Sequence, residues 1–98
     1  MKITLVSKNP PGGRCTLYGA YARAVAEALK GEVEIVFPEP GAELQPPALL
    51  IDGRTIEPAD GLILAPSDLH QGLGRLGSPD LLERLEEAEA RFMKECGA

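Results

Sequence analysis

The chain has 98 residues, room for one domain with one core and no second lobe. Hydrophobic residues make up 44% and charged residues 26%, which suits a folded α/β chain, but only 4% is aromatic and Trp is absent. The core must therefore come from Leu, Ile, Val and Ala, and a base-stacking surface is not expected.

A formal net charge of -5 and a pI near 4.8 oppose attraction to phosphate backbones and anionic lipid, so neither nucleic acid nor membrane is expected as a partner. No apolar run approaches the roughly 18 residues of a membrane span, and Met1-Lys2 leads straight into a strand. A cytoplasmic protein is the expectation. The two cysteines, Cys15 and Cys96, form no disulfide framework and are expected as thiols, a Cys15–Cys96 bridge being the alternative. Amides are confined to Asn9, Gln45 and Gln71 beside plentiful Arg, Glu and Pro, a composition similar to that of heat-adapted proteins.

In chain order, Lys2 to Val6 (K-I-T-L-V) reads as a first strand, and Ser7 to Gly13, with two prolines and two glycines, reads as a loop. From Leu17 to Lys30, Tyr18, Tyr21, Ala22, Val25, Ala28 and Leu29 follow helical spacing, with Gly31 placed as the C-terminal cap. Glu32 to Phe37 alternates and then turns apolar before Pro38 and Pro40, giving a second strand and a parallel βαβ unit. Glu39 to Pro46 is a connecting loop.

Pro47 to Ile56 predicts a hairpin, with Asp52-Gly53 as its type I′ turn. Leu62 to Ala65 is read either as an extra strand or as a buried connector, and Ser67-Asp68 as the cap of a short helix over Leu69 to Leu73. Ser78 as N-cap, Pro79 at the first helical position and Asp80 at the positive end of the dipole predict a last helix from Pro79 to about Cys96. Its apolar stripe is Leu81, Leu82, Leu85, Ala88, Phe92 and Cys96, opposite the pairs Asp80–Arg84 and Glu87–Arg91.

This element order, with Cys15 at the mouth of the first helix and the segment Pro47-Ala48-Leu49-Leu50-Ile51-Asp52-Gly53, resembles a minimal thioredoxin-like domain. The Pro-led segment is similar to that of small thioredoxin-like and glutaredoxin-like proteins, and among subfamilies the compact selenoprotein W-like proteins look closest. The resemblance implies one domain over residues 1–98, an α/β fold of order β-α-β-β-β-α with a mixed sheet, and a cis Pro46–Pro47 bond facing Cys15. It also implies thiol-disulfide chemistry with a protein or a small thiol or disulfide. The chain departs from the C-x-x-C pattern, since Cys15-Thr16-Leu17-Tyr18 lacks the resolving thiol. What remains is monothiol exchange or a redox-inactive binding or assembly module.

The expected site is Cys15 as nucleophile, with Arg14, and Lys8 beside it, favouring thiolate, and Pro47 shaping the substrate groove. Cys15 read without function is a small packing residue. Pro10-Pro11-Gly12-Gly13 with Arg14 is alternatively an anion-binding loop. Gly72 to Gly77 fits G-x-G-x-x-G but follows no clear strand, so it reads as an interhelix loop. His70 lacks ligand partners at metal-binding spacing, and neither a metal nor a cofactor is expected. Apolar edge strands leave a homodimer open.

Overall fold

The computed structural model describes residues 1–8, 13–39, 41, 46–59, 61 and 63–96. Asn9 to Gly12 of the first loop, most of the loop before Pro46, Leu62 and the Cys96 side chain lie outside the described residues.

The described residues form a four-stranded mixed sheet with three α-helices. Strand β1 (Lys2–Val6) pairs parallel with β2 (Glu32–Val36), and the helix α1 (Gly13–Leu29) joins them. Strand β3 (Ala48–Ile51) lies antiparallel on the other side of β1, and β4 (Arg54–Ile56) completes the hairpin, giving the order β2-β1-β3-β4. The hairpin turn is as expected: Asp52 and Gly53 both take positive φ, 49° and 84°, which the type I′ turn requires. The turn is tied to the start of β1, where the Asp52 N–H donates to the Lys2 carbonyl at 2.8 Å.

The first helix starts earlier than expected, at Gly13 and not near Leu17, so Cys15 lies within its first turn. Its end also differs. Lys30, with φ 55°, is the left-handed residue, and Gly31 donates its N–H to the Ala26 carbonyl at 3.0 Å, closing a Schellman motif. Gly31 is needed for room instead, because a Cβ there would stand 3.1 Å from both Ile3 and the Met1 carbonyl.

Residues 63–65 are a connector and not a strand, with Leu64 fully buried. Helix α2 (Pro66–Leu73) opens with Ala65 at the N-cap and Pro66 at the first position. Asp68 is therefore not the cap: its carboxylate reaches back to accept the Ala65 N–H at 2.9 Å, half of a capping box. The G-x-G-x-x-G stretch divides between the end of α2 and a 3-10 turn at Gly74–Leu76. Gly72 packs on β4, where a Cβ would fall 2.6 Å from Ile56.

Helix α3 (Pro79–Cys96) begins as expected, with the Leu81 N–H donating to Ser78 Oγ at 3.1 Å. The Asp80–Arg84 pair closes at 3.2 Å, while Glu87 and Arg91 form no bridge among the described residues. Among its described side chains the stripe is buried only at the first half: Leu81 and Leu85 are in the core, Ala88 and Phe92 pack at its margin, and Met93 is exposed. Helix α3 lies mainly on α1 and α2, while α1 covers β1. The core unites Ile3, Leu5, Leu49 and Ile51 of the sheet with Leu17, Tyr21 and Val25 of α1 and Leu85 of α3. No helix among the described residues is long and apolar enough to cross a membrane.

Candidate functional site

The register of the sheet determines which residues meet at the end of β1. Val6 stands opposite Ala48, so Pro47, just before β3, comes beside Ser7, just after β1. The Pro46–Pro47 peptide bond is cis, as the family resemblance implies. Chain leaving β1 is held on two sides: the Ser7 N–H donates to the Val36 carbonyl at 2.9 Å, and the buried Ser7 hydroxyl donates to the Lys8 carbonyl at 2.9 Å.

These constraints place the Lys8 main chain over the first turn of α1, where the Lys8 N–H donates to Cys15 Sγ at 3.5 Å. Cys15 is a thiol and only 3% exposed. Successive helix residues turn by about 100°, so Arg14 and Cys15 cannot present to the same place. Arg14 is exposed and shares a helix face with Tyr18, four residues on.

Arg14 and Tyr18 line a cleft of about 210 Å³ with Pro46, Pro47, Thr55 and Glu57. Two of the three expected site residues, Arg14 and Pro47, thus share one cleft. Cys15 does not line it: its side chain is turned inward, one helix position away, beneath Lys8. Thr55 and Glu57 join the cleft from β4 and the residue after it, and no sequence pattern singled them out. Their signal is the hairpin register, which pairs Thr55 with Leu50 and Ile56 with Leu49.

Behind the cleft, the two tyrosines of α1 act together on one residue. The Leu64 N–H donates to Tyr18 Oη at 3.0 Å, and Tyr21 Oη donates to the Leu64 carbonyl at 3.1 Å. Both main-chain groups of a fully buried residue are satisfied this way, which a connector without strand partners requires. Tyr21 Oη also lies 3.4 Å from Glu89 of α3. Burial, reinforced by the Glu89 charge, pushes the Tyr21 hydroxyl well above its ordinary pKa.

His70 is half-buried in α2 beside Gly77, and its Nε2 has no hydrogen-bond partner among the described residues. No group of three or more His, Cys, Asp or Glu among the described residues is arranged to hold a metal ion. Chemically, the arrangement provides a thiol at a helix N-terminus, a main-chain donor to its sulfur, and a neighbouring cleft with a cation and a proline-led strand. No protein-family profile, curated protein or solved structure matches this chain.

Proposed function

We propose that this chain is a thioredoxin-like monothiol protein, exchanging with disulfides through Cys15 while the substrate lies in the cleft beside Pro47. The observation that carries the reading is the position of Cys15 in the first turn of α1, one residue from a cleft that its neighbour Arg14 lines together with the cis Pro46–Pro47 bond entering β3. The positive end of a helix dipole favours thiolate, and the Lys8 N–H is a donor to the sulfur.

In the proposed step, the Cys15 thiolate attacks one sulfur of a disulfide. A Cys15–substrate mixed disulfide forms and the other sulfur leaves as thiolate. With Tyr18 where a second motif cysteine would stand, resolution falls to an external thiol such as glutathione, which takes over the substrate sulfur and returns Cys15 as thiolate.

The burial of Cys15 favours a second reading, a thioredoxin-like binding or assembly module in which the thiol is packing and the cleft alone meets the partner. Incubation with glutathione disulfide, followed by intact-mass measurement, separates the two. Monothiol exchange predicts one glutathionyl adduct on the wild type and on Cys96→Ser, and none at residue 15 in Cys15→Ser. An adduct absent from folded wild type, with interaction partners retained by Cys15→Ser, leaves the binding module standing and removes the exchange reading.

A further inference from the structure

The two edges of the sheet are unlike. Strand β4 is three residues long and exposes Arg54 and Thr55, a short polar edge that discourages strand addition. The β2 edge is longer and carries a cluster of exposed apolar residues between its glutamates. Of the six large hydrophobic residues exposed among the described residues, four (Val33, Ile35, Val36 and Phe37) fall within five consecutive positions, and Ile35 and Phe37 are 54% and 53% exposed.

Hydrogen bonding sets the phase of this edge. The Glu32 N–H donates to the Met1 carbonyl and the Val36 carbonyl accepts from the Ser7 N–H, so residues 32, 34 and 36 turn their main-chain groups toward β1. By alternation, Val33, Ile35 and Phe37 turn theirs outward, on the side where the sheet has no further strand among the described residues. Val33 and Ile35 are aligned with Ile3 and Leu5, so their side chains stand on the sheet face that carries the helices.

We propose that a second copy of this chain pairs at this edge, β2 antiparallel to β2, about a two-fold axis through Ile35. In that register Ile35 meets Ile35 of the second copy and Val33 meets Phe37, all of them pairs that exchange main-chain hydrogen bonds in both directions. Three apolar side chains from each copy then form one row on the helix-bearing face. On the opposite face Glu34 meets Val36, and Glu32 meets Pro38, whose missing N–H is not called on in that pair. Glu34 is already neutralised within its own chain by Lys2, 2.6 Å away.

Neighbouring registers with the same hydrogen-bond phase are worse. An axis at Glu34 sets the two Glu34 carboxylates against each other, and an axis at Val36 sets Val33 against Glu39. The pattern of acids and apolar residues in 32–39 is thus self-complementary about Ile35 and favours that register over its neighbours. This interface is independent of the chemistry of Cys15.

Sedimentation velocity at about 100 µM tests it, since assembly follows mass action. Wild type is expected to sediment as a dimer and Ile35→Lys as a monomer with an unchanged circular dichroism spectrum. In a Cys15→Ala, Cys96→Ala background, Ile35→Cys is expected to form an interchain disulfide on oxidation. Val33→Cys is expected not to, since the two copies of position 33 would lie four residues apart along the strands, about 14 Å. A monomeric wild type at this concentration, or Val33→Cys cross-linking as readily as Ile35→Cys, overturns the proposal.

Discussion

Leu85→Ala is expected to destabilise the fold by about 2–5 kcal/mol, read as a lower urea midpoint at unchanged slope. Leu85 is fully buried in the first half of α3, where its stripe enters the core beside Leu81, and α3 rests chiefly on α1. Removing its branched end leaves a cavity between the two helices that cannot readily close, because Leu81 and Tyr21 are themselves held in the packed interior. Glu86→Ala, one position away and exposed, is the control and should stay within about 0.5 kcal/mol. A loss from Leu85→Ala as small as that of the control would show that α3 is not part of the cooperative core.

The tyrosine pair carries the second large effect. Tyr18→Phe removes the acceptor of the buried Leu64 N–H, and a buried donor left unpaired is expected to cost about 1–3 kcal/mol. Tyr21→Phe removes the donor to the Leu64 carbonyl, and its more telling signature is in pH. An unfolded tyrosine ionises near pH 10, whereas Tyr21 in the fold holds its proton to higher pH because it is buried and faces Glu89. The stability linked to that proton is fully present below about pH 10 and is lost as pH rises above it, because the unfolded chain gives up its proton first. Urea midpoints at about pH 8 and about pH 11 should therefore fall more steeply for wild type than for Tyr21→Phe. Equal falls would remove Tyr21 from the linkage.

Elements whose signals are local chemistry were legible. Ser78-Pro79-Asp80 fixes the start of α3, and Asp52-Gly53 fixes the hairpin turn through its two positive φ angles. Boundaries set by tertiary neighbours were not. The first helix takes in Gly13 to Thr16, residues that lack the apolar period of the rest of the helix, and α2 begins at Pro66 with Ala65 as its N-cap, which Asp68 binds from inside the helix. Glu32 to Val36 alternates like a half-covered strand, yet all five residues are exposed, since an edge position depends on strands elsewhere in the chain.

The candidate site was legible in the same uneven way. Arg14 and Pro47 meet in one cleft, and the cis bond follows from the resemblance of the Pro-led segment. The inward turn of Cys15 was not legible, because it depends on where the helix begins and hence on its phase. That phase separates the thiol from the cleft by one residue, so monothiol exchange depends on the reactivity of a buried Cys15.

The rate of Cys15 alkylation by iodoacetamide as a function of pH, in a Cys96→Ser background, tests that point most directly. Monothiol exchange predicts reaction in the native fold with a midpoint below the value of about 8.5 for an ordinary thiol, because the helix N-terminus and the Lys8 N–H favour thiolate. A midpoint at or above about 8.5, or labelling that appears only when the protein is unfolded, would contradict it.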